Sequence, residues 1–244
     1  MVTICIKTFE RPECLARLLK SIPYDWTVMV ADDSREPRPV EGVCYFTMPF
    51  DSGLSAGRNL MLSQVQTPYI VFLDDDFVFT QETDLNKFKF HLDNNPELDL
   101  VAGMVRDENG NDMHYEAIFR QDGRVLRATP ERTGKIGGLP TYELVLNFFM
   151  SRTDSLKRVW WDNALKVAEH TDFFYRAKGK LKCAYDGSVV VDNVRETNPF
   201  YGPYRKRGLN YLGKFLEKHD LDAMVNVHGA TYYRPGTKIN RMKV

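Results

Sequence analysis

Three consecutive acids, Asp74-Asp75-Asp76, directly follow the apolar run Tyr69–Leu73. Adjacent carboxylates repel one another, so a cluster of this kind calls for a positive partner. A hard divalent cation takes oxygen ligands, often one or two carboxylates together with substrate phosphates. Held here, such a cation would neutralise the acids and grip a diphosphate leaving group. In isolation an acid triplet reads equally as a solvated turn. Its place after a strand buried on both faces, where parallel sheets bind ligands, favours chemistry.

Other stretches carry weaker versions of the same choice. Asp32-Asp33-Ser34 ends a second strand pattern, where carboxylates can accept hydrogen bonds from a base N–H or from ribose hydroxyls. The same residues also suit an ordinary cap or turn. Ser52-Gly53-Leu54-Ser55-Ala56-Gly57-Arg58-Asn59 combines small residues, a helix start and an arginine fork. Arg58 can grip a phosphate or bridge the neighbouring acids, and both roles can hold at once. Glu169-His170-Thr171-Asp172 opens a helix that continues through Phe173-Phe174. A carboxylate there, Asp172 or Glu169, could take a proton as a general base, although acids also cap helix N-termini for purely structural reasons. Trp160-Trp161 offers aromatic faces to a sugar ring and is equally good core material. His91, His114, His219 and His228 show no ligand spacing. The basic run Arg205-Lys206-Arg207 could touch a phosphate or a membrane surface, but a solvated helix face accounts for it.

The elements that must position these residues are legible in the first 105 residues. Val2–Ile6, Thr27–Ala31, Val43–Met48, Tyr69–Leu73 and Leu100–Val105 read as strands. Between them lie helical patterns: one entered at Pro12 with Leu15, Leu18, Leu19 and Ile22 on a face, one over Gly53–Gln64, and one carrying Leu85, Phe88 and Leu92. Such alternation predicts an α/β fold with a mainly parallel central sheet flanked by helices, its first half Rossmann-like. The second half is less regular. Glu116–Arg120 and Arg124–Ala128 flank Asp122-Gly123 as a hairpin. Pro130–Pro140, with three glycines, reads as a mobile loop. Val145–Met150, Leu181–Tyr185 and Ser188–Val191 read as strands; Thr153–Val159, His170–Lys178 and Tyr204–His219 read as helices. The organisation expected is one domain over 1–244, with a nucleotide-binding half (1–105), an acceptor and catalytic half (106–193), and a C-terminal helix with a tail or lid (194–244).

The bulk numbers bound the function. A chain of 244 residues with 43% hydrophobic content can bury one substantial core. Lys+Arg and Asp+Glu both total 33, so no net field invites nucleic acid, and local charge must do any steering. Cys5, Cys14, Cys44 and Cys183 lack metal-like spacing and read as free thiols. No stretch approaches the roughly 20 apolar residues that span a bilayer. The expectation is a cytoplasmic chain, with peripheral membrane contact possible, unless it was cut from a longer membrane-anchored parent.

Taken in order, the segments resemble a known family. Val2-Thr3-Ile4, Lys7-Thr8-Phe9 and Arg11 come first, then Ala31-Asp32-Asp33-Ser34 and Met48-Pro49. Ala56-Gly57-Arg58-Asn59-Leu60, Asp74-Asp75-Asp76-Phe77, Asn147-Phe148-Phe149 and His170-Thr171-Asp172-Phe173-Phe174 come after them. This order is similar to that of GT-A glycosyltransferases, and more specifically of β-1,4-N-acetylgalactosaminyltransferases of the ganglioside GM2 synthase type. The likeness covers roughly residues 2–193. It implies a GT-A fold, a UDP-sugar donor with UDP-GalNAc preferred, and inversion at the anomeric carbon. It also implies a glycan or glycolipid acceptor, and Mn²⁺ (or Mg²⁺) at Asp74 and Asp76. By the same resemblance Thr8, Glu10, Arg11, Asp32, Arg58, Asp74 and Asp75 surround the nucleotide sugar, and Asp172 is the base. Two departures stand out. The family has Glu where this chain has Asp172, and His where it has Asn193; the third metal ligand is then Asn193 through its amide oxygen or, alternatively, His228 just before the tail. UDP-galactose or UDP-GlcNAc transfer shares every motif. A nucleotidyltransferase would want a Gly-rich loop after the first strand, and Thr8-Phe9-Glu10-Arg11-Pro12 lacks it. A non-catalytic carbohydrate-binding module would need the aromatics but not the acid triplet.

Overall fold

The computed structural model describes residues 1–196, 199 and 201–237, with the backbone alone at Arg205. The first half runs β1 (Val2–Thr8), α1 (Pro12–Ser21), β2 (Thr27–Asp32), β3 (Cys44–Thr47), α2 (Leu54–Gln64), β4 (Tyr69–Asp74), β5 (Phe77–Phe79), α3 (Leu85–Asn94) and β6 (Leu100–Arg106). The second half adds β7 (Asp112–Met113), β8 (Ile118–Asp122), β9 (Val125–Thr129), β10 (Gly134–Ile136), β11 (Leu139–Tyr142) and β12 (Phe149–Arg152). It continues with α4 (Thr153–Lys157), α5 (Glu169–Ala177), β13 (Cys183–Asn193), α6 (Tyr201–Lys206), α7 (Gly208–Lys218), β14 (Ala223–Val225) and β15 (Thr231–Tyr233).

A large sheet runs β10-β11-β13-β6-β12-β4-β1-β2-β3. Pairing is parallel through β4-β1-β2-β3 and between β6 and β13. It is antiparallel where β12 enters between β4 and β6. All seven residues of β1 are buried because the sheet is covered on both faces. Side chains alternate by face along a strand. Val2, Ile4 and Ile6 therefore join Leu15 and Leu18 of α1 and Phe88 and Leu92 of α3 in one layer. Cys5 and Phe72 turn the other way, toward Met61 and Leu62 of α2, Phe173 and Phe174 of α5, and Phe215 of α7. The α/β class and the helix-flanked central sheet are thus as the sequence leads one to expect.

The differences have local causes. Pro130–Pro140 is not a loop: β10 and β11 form an antiparallel hairpin whose β11 pairs with β13. Gly137 (φ 56°) and Gly138 (φ 83°) make its tight turn, where a side chain would be strained. The two strands expected over 181–191 are one, β13, with an irregularity between Asp186 and Val190. The helix expected from Tyr204 to His219 breaks at Arg207 into α6 and α7. The tail is a strand as far as Tyr233, since β15 pairs with β14 in a second, four-stranded sheet β15-β14-β9-β8; residues 238–244 lie outside the described residues. Among the described residues no helix is long and apolar enough to cross a membrane. The four cysteines are free thiols.

Candidate functional site

The C-terminal ends of β1 and β4 are neighbours in register, Lys7 beside Asp74. The segments leaving the two strands therefore meet over the sheet edge. There a cavity of about 360 Å³ is lined by Thr8, Phe9 and Arg11 after β1 and by Asp74, Asp75 and Asp76 at β4. Glu169 and His170 reach it from the start of α5, Asn193 from the end of β13, and Tyr201 and Tyr204 from α6.

The three acids have different surroundings. Asp75 is fully buried and accepts from Thr8 Oγ1 at 2.7 Å and from the Arg11 guanidinium. Burial pushes its carboxyl up, and the neighbouring charges of Asp76 and Asp74 add to this; Arg11 and Thr8 offset part, leaving it at about 6. Asp76 accepts from Arg11 Nη1 and from Asn193 Nδ2, each at 2.9 Å. Asp74, with 33% of its side chain exposed, accepts from Arg58 Nη2 at 3.0 Å. The other arm of Arg58, Nη1, donates to Glu169 Oε1 at 2.8 Å. Burial raises the Glu169 carboxyl above its ordinary value, with Arg58 opposing. Arg58 is 2% exposed and lies over Phe72 and Trp161, so it is an internal tie between β4 and α5 rather than an open phosphate fork.

A second charged pair buttresses this edge. Lys7 is bonded to Asp33, and Asp33 Oδ2 accepts from Gly53 N at 2.6 Å. Burial lowers the Lys7 pKa, and Asp33 holds it up. The Lys7 stem passes so close to α2 that a Cβ at Gly57 would meet its Cδ at 2.2 Å. The glycine is a packing requirement, which the small-residue pattern of the segment reflects.

The structure brings Thr8, Arg11, Asp74, Asp75, Asp76 and Asn193 together on one cavity, and other expectations need correcting. Asp32 does not line it: its carboxylate accepts from Ser34 N at 2.8 Å and from the Tyr45 hydroxyl, the turn-capping alternative. Glu10 lies on a neighbouring cavity of about 240 Å³ with Phe9, Phe50 and Tyr204, and accepts from Arg35 N at 2.8 Å. Asn193 turns its amide N–H to Asp76 while its Oδ1 accepts from Arg195 Nε at 3.1 Å, so the oxygen expected to ligate a metal is directed elsewhere. Asp172 is completely buried away from the cavity. It accepts from Arg176 Nε at 2.7 Å and Lys218 Nζ at 2.8 Å, and lies 2.7 Å from His219 Nε2. Burial pushes this carboxyl up, but the bonds from His219, Lys218 and Arg176 more than reverse that and hold it at about 2. It is a structural anchor of α5 on α7.

Trp161 is core, stacked on Phe173 at 4.4 Å, and neither Trp160 nor Trp161 lines either of these two cavities. Sequence reasoning missed Tyr201 and Tyr204. Arg11 lies 4.0 Å over the Tyr201 ring, and Phe9 packs on Tyr204 at 4.5 Å. Arg207, from the basic run, grips Asp51 with two bonds of 2.8 and 2.9 Å and so seats α6 as a cavity wall.

Asp74 and Asp76 put two carboxylates on the cavity, the oxygen chemistry that a hard cation would take. Among the described residues no group of three or more His, Cys, Asp or Glu is arranged to hold an ion. Two carboxylates at a cavity are nevertheless the share a protein contributes when a substrate diphosphate supplies further oxygens.

The chain is similar to two named enzymes over most of its length. It is 38% identical over 209 residues to beta-1,4 N-acetylgalactosaminyltransferase 2 of Mus musculus, covering 82% of this chain and 40% of that protein. It is 38% identical over 208 residues to beta-1,4 N-acetylgalactosaminyltransferase 1 of Homo sapiens, covering 80% and 39%. The chain thus spans about two fifths of the length of these relatives. In fold it matches S. aureus TarS 1-349 in complex with UDP-GlcNAc, with a TM-score of 0.60 at 16% identity, over 88% of this chain and 65% of that one. A second S. aureus TarS structure matches with a TM-score of 0.57 at 18% identity, over 89% and 43%. The GT-A type of fold and the likeness to N-acetylgalactosaminyltransferases are borne out. The glycosyl transferase family 2 model matches residues 3–160, a span that holds β1, β4 and the whole acid triplet, and the chain belongs to that family.

Proposed function

We propose that this chain carries the catalytic centre of an inverting transferase that moves N-acetylgalactosamine from UDP-GalNAc to a hydroxyl of a glycan or glycolipid. The observation that carries this reading is the acid triplet at the end of β4, set in one cavity with Thr8 and Arg11. The relatives' names support the choice of sugar. Asp74 and Asp76 would hold Mn²⁺ or Mg²⁺. When bound, the ion supplies positive charge against the departing diphosphate, as a Lewis acid does.

The chain's own residues do the rest. Arg11, fixed by Asp75 and Asp76 and stacked on Tyr201, sets a permanent positive charge beside the diphosphate position. Thr8 and burial keep Asp75 in place as the pivot of that network. The tie Asp74–Arg58–Glu169 fixes α5 against the sheet edge, so that groups at the start of α5 meet the reacting sugar in a set geometry. A panel of UDP-sugars, assayed for UDP release with and without Mn²⁺, tests the proposal. UDP-GalNAc should turn over fastest and lose most of its rate on chelation. Faster release from UDP-galactose or UDP-GlcNAc would reassign the sugar, and rates untouched by chelation would remove the metal.

A further inference from the structure

Among the described residues, two buried side-chain nitrogens without a hydrogen-bond partner belong to groups lining the cavity: Nε of Arg11 and Nε2 of His170. The first is part of a guanidinium already committed to Asp75 and Asp76. The second is different in kind. His170 Nδ1 lies 2.6 Å from Asn147 Oδ1, and a carbonyl oxygen only accepts, so Nδ1 carries the hydrogen and Nε2 a bare lone pair. The ring is held edge-on to Phe174 at 5.0 Å and lies 5.7 Å from the Tyr115 ring.

We propose that His170 Nε2 is the general base of sugar transfer, and that the acceptor hydroxyl enters the side of the cavity formed by Tyr115, Leu146, Asn147 and His170. This rests on the reading of the chain as a transferase. The acceptor O–H bond breaks as its oxygen bonds to the anomeric carbon, and the proton passes to Nε2. The bond from that carbon to the diphosphate oxygen breaks, its electron pair leaving on UDP, and the imidazolium later returns its proton to solvent.

The other acidic candidates on α5 are committed. Asp172 is locked among Arg176, Lys218 and His219, and Glu169 is paired with Arg58. Burial, then the charge of Arg58, lower the His170 pKa to about 3, against a smaller opposing pull from the Val145 backbone. The imidazole is therefore neutral, as a base must be, and the negative charge that a diphosphate brings into the cavity would raise its basicity. Because Nε2 is shut from solvent, acceptor entry has to displace the side chains that cover it.

The test compares wild type with His170→Ala and His170→Gln for UDP release from UDP-GalNAc, with water and with p-nitrophenyl glycosides as acceptors. Calorimetry measures UDP affinity in the same proteins, and Glu169→Gln serves as the rival. The expected result is a turnover loss of about 10²–10⁴-fold in whichever His170 variant folds, UDP affinity unchanged, and partial recovery of His170→Ala by added imidazole. Turnover within about threefold of wild type overturns the assignment, as does a loss of UDP affinity that matches the loss of turnover. Wild type that releases no UDP from any sugar nucleotide sinks the transferase reading, and the base with it.

Discussion

At the scale of single residues, position along a helix decides which acid can act. Successive residues of a helix turn by about 100°, so His170 and Asp172 point nearly opposite ways from α5. His170 meets the cavity, and Asp172 meets Lys218 and His219 at the α7 end. The sequence HTDFF shows a carboxylate near a helix start, but the direction it faces depends on where α5 docks. The triplet Asp74-Asp75-Asp76 was legible because it needs only the strand end that precedes it. Asp172→Asn should destabilise the fold by about 2 kcal/mol, the range for hydrogen bonds to charged groups, while UDP affinity is kept. The pH dependence comes from a carboxyl held at about 2 against an ordinary 3.8. Its contribution is fully present above the ordinary value and is lost as pH falls through about 2. Denaturant midpoints measured from neutral pH into that acid window should converge for wild type and variant; a constant gap would remove Asp172 as the titrating group.

At the scale of elements, the strands and helices before residue 106 emerged from periodicity because β1, β4 and β6 are buried on both faces and each helix on one. The pattern weakened where an element's role depends on distant partners. β12 enters the sheet antiparallel, and α6 is a wall only because Arg207 reaches Asp51 and Tyr204 reaches Phe9. Glycine content misled the reading of Pro130–Pro140, since Gly137 and Gly138 are there for a turn rather than for looseness. Paired backbone amides exchange slowly. Hydrogen exchange without donor should find the amides of the β10–β11 ladder protected relative to the exposed turn at Gly123. Exchange as fast as at Gly123 would restore the mobile-loop reading.

At the scale of the whole molecule, equal numbers of acidic and basic residues leave little net field, so binding of a diphosphate must come from the cavity itself. There the acids of β4 are paired with Arg11 and Arg58, and a donor would bring two negative phosphates beside them. Under the proposed function, a divalent cation held by Asp74 and Asp76 would offset that charge, which would tie metal and nucleotide binding into one event. Titration calorimetry of UDP in the presence of Mn²⁺, on wild type and on Asp76→Asn of equal thermal stability, measures that event directly. The account predicts Mn²⁺-dependent UDP binding in wild type and its loss in Asp76→Asn; the same affinity in both proteins would contradict it.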